Sequence, residues 1–243
     1  MHSYRETCHK KFTWPYHKVS KDRESRSQSV FDYSLFTKKS GVHIVEILIY
    51  VDNLLLTSSS KVLIDEAEIV LHQEFKVKDL GELRYFLGIE VIRSKHGILL
   101  NHRKYTLELI FEMGISVAKP AVTPLEVNQR LASVEFDKIA GLQSSYPLVD
   151  VTSYQKLIGK LLYLTLTRPD ICYAVQSLSQ FMHAPKKSHM DVTTRVVRYL
   201  KNAPRLGVLL KRESAQSVLG FCDSDWGACP IIRRSVSGYL IKF

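Results

Sequence analysis

The chain has 243 residues, and 45% of them are hydrophobic, which excludes an intrinsically disordered protein. Lys and Arg number 34 against 24 Asp and Glu, so the formal net charge is +10. This excess fits a polyanionic partner, because Lys and Arg that contact phosphates release condensed counterions, but an ordinary basic surface fits it equally well.

The first half of the chain predicts strands that follow an irregular segment. Residues 1–27 are polar and weakly periodic, which predicts an irregular tail. VFDYSLFTKK then predicts a short strand, and VHIVEILIYV predicts a strand with apolar residues on both faces, as a covered strand requires. The apolar strand LLLTSS follows after only Asp52-Asn53, which is typical of a tight hairpin because Asp and Asn tolerate left-handed backbone angles.

The middle of the chain predicts a helix, a hairpin, a second helix and a linker. Apolar residues at near-helical spacing predict helices over 61–78 and 103–114, while 84–100 predicts a hairpin that turns near Lys95-His96-Gly97. Residues 116–150 are polar and contain several prolines. A loop of that length is unusual inside one compact domain, so we expect a linker and a domain boundary there.

The second half of the chain predicts helices and then strands. Residues 152–202 carry apolar positions at helical spacing, interrupted by Pro169 and Pro185, and the third of these helices is expected over Asp191 to Asn202. SVLGFCDSDWG and SVSGYLIKF then predict two strands separated by a turn.

The Asp52-Asn53 turn is the first candidate site. A rigid turn between two apolar strands presents a carboxylate accurately, and hard cations such as Mg2+ require oxygen ligands. The competing interpretation is an ordinary Asp-Asn hairpin turn with no ligand.

Five blocks, in order along the chain, carry a family resemblance. The blocks are Gln28 to Phe36 with Tyr50 to Asn53, Lys78 to Val91, Tyr154 to Met182, Val197 to Lys201, and Cys222 to Tyr239. The first block resembles the Tyr-x-Asp-Asp region of reverse transcriptases with its preceding segment, and the other blocks resemble consecutive parts of copia-type elements. The chain is therefore identified as similar to the Pol polyprotein of copia-type LTR retrotransposons, from the C-terminal part of reverse transcriptase to the start of RNase H.

The resemblance implies an α+β fold in several pieces. We expect a partial reverse transcriptase palm and the start of a thumb over 28–115, followed by the linker at 116–150. A helical connection over 151–205 and a truncated RNase H-like hairpin over 206–243 complete the chain.

The resemblance also implies site residues and their defects. The family polymerises DNA with two Mg2+ ions, held by an upstream aspartate and the Asp-Asp pair. Asp52 matches the first member of the pair, Asn53 replaces the second, and no segment before Gln28 matches the upstream aspartate. Asp223 matches the first metal-binding aspartate of RNase H, whose further carboxylates have no match. We therefore expect vestigial metal binding at Asp52 and Asp223 and no catalysis.

Several residues are candidate nucleic-acid contacts, since the family binds an RNA or DNA template–primer. Tyr85 and Phe86 are candidates for stacking on a base or sugar, or are core residues. A basic run around the third helix either contacts phosphates or is a solvated face; its members are Lys186, Lys187, Arg195, Arg198, Lys201 and Arg205. His183 and His189 are expected to be exposed linker residues rather than metal ligands.

The remaining features concern compartment and cysteine chemistry. The four cysteines form no Cys-x-x-Cys pair and no zinc-finger spacing, which predicts reduced thiols. No N-terminal apolar run resembles a signal peptide, and the most apolar segment, Val42 to Thr57, is too short to span a bilayer. We therefore expect a soluble intracellular protein with no membrane partner.

Two functions of different class remain open from the sequence. One is a remnant of a reverse transcriptase that has lost catalysis. The other is a non-catalytic basic module that binds nucleic acid through the surplus of Lys and Arg.

Overall fold

The computed structural model describes residues 3–9, 26–51, 53–75, 77–126, 129, 131–141, 150–212, 218–227 and 235–242. The chain divides into two compact units, Met1–Arg84 and Tyr85–Phe243. The architecture is mixed α/β with antiparallel sheets, which agrees with the fold class predicted from the sequence.

The first unit contains an antiparallel sheet of six strands with the order β2-β3-β4-β5-β1-β6. One helix, α1 (Lys61–Glu74), contributes Ile64 and Leu71 to a core that also contains Leu54 and Leu56 of β5. The alternation of buried and partly exposed residues along β5 follows the two-residue period of a strand. The strands are β1 (Ser3–His9), β2 (Arg26–Gln28), β3 (Leu35–Ser40), β4 (His43–Tyr50), β5 (Asn53–Ser58) and β6 (Val77–Glu82).

The strand β1 corrects the prediction of an irregular tail for Ser3–His9, whereas residues 10–25 of that tail lie outside the described residues. Ser3–His9 pairs with β5 on one side and with β6 on the other. The segment is polar and shows little periodicity, so its side chains do not predict a strand. Hydrogen bonds between strands use the main-chain N–H and C=O groups, and every residue except proline carries both. A polar segment can therefore pair with two neighbouring strands whatever its side chains are.

The second unit combines a four-stranded antiparallel sheet, in the order β10-β9-β8-β7, with a helical core. The core is formed by buried residues of α2, α4, α5 and α6, such as Leu109, Ile158, Val175 and Val196. The strands are β7 (Tyr85–Phe86), β8 (Ile89–Ser94), β9 (Gly97–Asn101) and β10 (Gly207–Lys211). The helices are α2 (Arg103–Glu112), α3 (Val134–Ile139), α4 (Val151–Leu164), α5 (Cys172–Ser179) and α6 (Lys187–Leu200), and a 3-10 turn spans Pro169–Ile171.

A separate two-stranded hairpin completes the second unit. It consists of β11 (Leu219–Asp225) and β12 (Val236–Lys242), which pair antiparallel. The prediction of two strands in this part of the chain is confirmed.

The division of the chain differs from the boundary expected at 116–150. Leu109 and Ile110 of α2 lie in the same core as α4 and α6, so the helix before the expected linker belongs with the helices after it. The strand β10 pairs with β9, more than 100 residues earlier in the chain. This long-range pairing places Gly207–Lys211 in the sheet of the second unit, outside the hairpin expected over 206–243.

The hairpin predicted over 84–100 is confirmed, with its turn at Lys95-His96. The third helix begins at Lys187, four residues earlier than predicted. Among the described residues, Cys172 and Cys222 are free thiols. None of the described helices has both the length and the apolar character needed to cross a bilayer.

Candidate functional site

In the β4–β5 hairpin, Asn53 is the first residue of β5 and not a turn residue, in contrast to the Asp52-Asn53 turn that the sequence predicts. Tyr50 and Asn53 are the last residues to pair across the ladder, with Val51 and Asp52 between them. Asp52 itself lies outside the described residues. Val51 is 74% exposed and has φ of +49°, a left-handed conformation that is rare and strained for a β-branched side chain. Strain of this kind persists only where the surrounding structure imposes it, and it concentrates at functional turns.

The described residues around this turn do not fit a site for two Mg2+ ions. Asn53 supplies a neutral amide, which attracts a dication less than a carboxylate does. By register, Cys8 of β1 lies opposite Asn53, and the nearest acidic position of that strand, Glu6, lies opposite Leu55. Among the described residues, no group of three or more His, Cys, Asp or Glu side chains could hold a metal ion.

Asp223 lies on β11 in the isolated hairpin, opposite Gly238. Its side chain is exposed, and its Oδ1 accepts a hydrogen bond from the Ser224 N–H at 2.9 Å. The side chain of Asp225 lies outside the described residues. Asp223 is therefore a solvated carboxylate in the described part of the hairpin.

Tyr85 and Phe86 form the short strand β7, which pairs with β8. Tyr85 is 43% exposed, and the Lys104 Nζ lies 5.8 Å from the centroid of its ring. A partly exposed aromatic ring beside a cation is able to stack on a base. Phe86 is half-buried and offers less surface.

Lys186 is not presented to a polyanion. Its Nζ lies 2.6 Å from the Asp137 Oδ2, and both side chains are more than 90% buried. The ion pair joins α3 to the N-terminus of α6. Because a buried ammonium group requires a partner, Lys186 is a structural residue. Lys187, the next residue of the chain, is exposed and remains available for contact with nucleic acid.

The other cations of α6 bind the segment 115–126, which we call the strap. The Arg195 Nη1 lies 3.0 Å from the Glu126 Oε1, and the Arg198 Nε donates to the Lys119 carbonyl at 2.7 Å. The Lys201 Nζ donates to three strap carbonyls, at 2.6 to 3.1 Å, which belong to Ile115, Ser116 and Ala118. Strap carbonyls outside regular secondary structure need donors, and these side chains supply them. Arg195, Arg198 and Lys201 are thus engaged within the fold.

His189 is fully buried, so the expectation of an exposed linker histidine is wrong; His183 is exposed as expected. The His189 Nδ1 accepts from the Lys186 N–H at 3.1 Å, its Nε2 lies 3.1 Å from the Ala132 carbonyl, and its ring stacks on Phe181. Burial, together with the charge of Lys186, lowers the pKa of His189 to about 4. The ring is therefore neutral at physiological pH and serves packing.

The buried Arg168 and the partly exposed Asp170 form an ion pair, which the sequence identifies only as part of a family block. The side chain of Arg168 is 2% exposed, and its Nε and Nη2 donate to the two carboxylate oxygens of Asp170. Partial burial opposes ionisation of Asp170, but the hydrogen bonds from Arg168 and Tyr199 outweigh it and lower the pKa of the carboxyl. The signal that could have indicated this pair is an Arg two residues before an Asp, with Pro169 holding the turn between them.

Comparison with known proteins identifies several relatives. Residues 15–127 match the family profile of reverse transcriptase (RNA-dependent DNA polymerase). The chain is 39% identical over 213 residues to the retrovirus-related Pol polyprotein from transposon RE1 of Arabidopsis thaliana, a match that covers 88% of this chain and 14% of that protein.

Two shorter relatives are covered over more of their length. An uncharacterized mitochondrial protein of Arabidopsis thaliana is 39% identical over 193 residues, which cover 79% of this chain and 76% of that protein. A putative transposon Ty5-1 protein of Saccharomyces cerevisiae is 30% identical over 211 residues, which cover 86% of this chain and 66% of that protein. No solved structure matches the chain significantly. The chain thus spans about one seventh of the RE1 Pol polyprotein.

Proposed function

The chain belongs to the reverse transcriptase family of copia-type transposon Pol polyproteins, and we propose that it is a remnant that does not catalyse DNA synthesis. The observation that carries this proposal is Asn53. It pairs with Tyr50 at the base of the turn, the position at which the family places the second carboxylate of its Asp-Asp pair. The backbone at Val51 is strained, as is common at functional turns, while Asn53 supplies an amide in place of a carboxylate.

The loss of one carboxylate matters because two Mg2+ ions must be held close together. Oxygen ligands with negative charge offset the repulsion between the ions, and a neutral amide contributes much less. The neighbouring strand β1 places Cys8 beside Asn53, where a further carboxylate would strengthen the site. The turn therefore has at most one family carboxylate, Asp52.

Template–primer extension by the purified 243-residue chain tests this proposal. With Mg2+ or Mn2+ and all four nucleotides, we expect no extension by the wild type or by Asp52→Asn. If Asn53→Asp is the only variant that extends the primer, the proposal is supported, because the Asn53 amide is then what prevents catalysis. Template-dependent extension by the wild type that disappears in Asp52→Asn would overturn it.

A second candidate function is nucleic-acid binding without catalysis. The net charge of +10 and the exposed ring of Tyr85 beside Lys104 favour it. Fluorescence anisotropy with a labelled duplex, repeated over a range of salt concentrations, tests it. A logarithmic salt slope equivalent to several phosphates supports binding, and no binding at low salt refutes it.

The β11–β12 hairpin is proposed as the start of an RNase H-like sheet, with Asp223 in the position of its first metal ligand. The hairpin exposes large side chains, including Trp226 and Tyr239, and its described carboxylate is solvated. We propose that it has no nuclease activity. Cleavage of an RNA–DNA hybrid by the wild type that is lost in Asp223→Asn would contradict this.

A further inference from the structure

We propose that Lys95, His96, Lys211 and Arg212 form a binding site for the phosphate backbone of a nucleic acid. The first two residues form the β8–β9 turn, and the last two lie at and just after the end of β10. We call these four residues the sheet-end patch. The inference rests on the nucleic-acid binding proposed above and assigns it to a surface other than α6.

Strand register brings these four residues to one end of the sheet. Lys211 pairs with Gly97 across β9–β10, and Gly97 pairs with Ser94 across β8–β9. The Arg212 N–H then donates to the His96 carbonyl at 3.0 Å, beyond the last ladder pair. Neighbouring strands lie about 4.8 Å apart, so the backbones of the four residues lie within about 10 Å of one another.

A close approach of two strands fixes this arrangement. Gly97 has φ of +144°, and a Cβ atom at this position would overlap the Leu210 carbonyl. Only glycine permits β10 to pass so near to the start of β9. The turn and the end of β10 are therefore held together by backbone contacts. The four residues of the patch lie close together before any nucleic acid binds.

The four side chains differ from those of Arg195, Arg198 and Lys201 because they have no partner among the described residues. All four are exposed, and none forms a hydrogen bond or ion pair with another described residue. The carboxylate of β8, Glu90, lies at the opposite end of the strand, where it pairs with Asn101. Lys and Arg side chains in this setting donate to phosphate oxygens without first breaking an internal contact.

A charge-matched pair of variants tests the inference on the full chain. Lys95→Gln/Lys211→Gln removes two charges from the patch, and Lys138→Gln/Lys156→Gln removes two exposed charges from α3 and α4. If each patch lysine contacts one duplex phosphate, the patch variant reduces the logarithmic salt slope by about 1.8, whereas the control variant leaves it nearly unchanged. Thermal melts of both variants check that the fold is retained.

The outcomes separate the possible failures. No binding by the wild type at low salt would overturn both the proposed binding and the patch. Wild-type binding with equal slopes in the two variants would overturn the patch alone. Competition by polyglutamate as effective as that by duplex DNA would also overturn it, because the site would then recognise any acidic polymer.

A second measurement does not depend on the salt slope. Acetylation of Lys95 and Lys211 by a small reagent is expected to slow several-fold when duplex DNA is bound, while Lys138 and Lys156 react unchanged. Equal rates with and without DNA at all four lysines would contradict the proposal.

Discussion

Arg168 and Asp170 face each other through two parallel hydrogen bonds of 2.9 and 2.7 Å, although they lie only two residues apart. The same guanidinium donates to the Ala203 carbonyl, and Tyr199 of α6 donates to the same carboxylate at 2.9 Å. This pair therefore holds the 3-10 turn against the C-terminal end of α6. The pair therefore contributes to stability beside the main core, to which the neighbouring Ile171 belongs.

Asp170→Asn is expected to destabilise the chain by about 3 kcal/mol, because it leaves the Arg168 charge buried without a counterion. Tyr199→Phe, the control, removes one hydrogen bond and is expected to cost about 1 kcal/mol. Urea unfolding measures both values, with an unchanged m-value as the sign of an intact native state. Equal midpoints for Asp170→Asn and wild type would contradict the structural role of the pair.

His189 is expected to make stability depend on pH between about 6.5 and 4. Its folded pKa of about 4 lies below the ordinary value of 6.5, so the unfolded chain takes up the proton first as the pH falls. The contribution of the neutral ring is complete above pH 6.5, decreases as the pH falls through this window, and changes no further below it. The total decrease is roughly 3 kcal/mol.

The variant His189→Gln is the matched control, since an amide can form hydrogen bonds and does not titrate. Its free energy of unfolding should keep only a smaller dependence on pH between 6.5 and 4, which remains because burial also lowers the pKa of His102. A further loss of stability below about pH 4 should remain, because the pKa of Asp170 is lowered in the folded state. A variant with the same slope as wild type between pH 6.5 and 4 would refute the assignment to His189.

The ion pair between Lys186 and Asp137 predicts strongly non-additive mutations. Asp137→Asn leaves the buried Lys186 ammonium without a counterion and is expected to cost about 3–5 kcal/mol. The double variant Asp137→Leu/Lys186→Met removes both charges and should recover most of that loss. Denaturant unfolding of Asp137→Leu, Lys186→Met and the double variant gives the coupling energy. Additive losses would show that the two side chains do not depend on each other.

Local patterns predicted much of the fold, whereas contacts between distant residues could not be predicted. The β4–β5 hairpin and the hairpin at Lys95-His96 follow from residue type and two-residue periodicity, although Asn53, predicted in the turn, is the first residue of β5. The pairing of β10 with β9 depends on tertiary packing, and neither strand carries a local signal for its partner. The basic run of α6 shows the same limit: the sequence gives the charge of Arg198 and Lys201, but the strap carbonyls that they bind lie about 80 residues away.

Two glycines are expected to respond in opposite directions to the same substitution. A Cβ atom at Gly207 would overlap the Leu100 carbonyl across β9–β10, so Gly207→Ala must displace a strand and is expected to cost about 1–3 kcal/mol. Gly159 lies on the exposed side of α4 with no atom within 4 Å of an added Cβ, so Gly159→Ala is expected to stabilise the helix by about 1 kcal/mol. Urea midpoints of the two variants measure both effects on the same chain. Stabilisation by Gly207→Ala would show that β10 does not lie this close to β9, and the sheet-end patch would then lose its geometric basis.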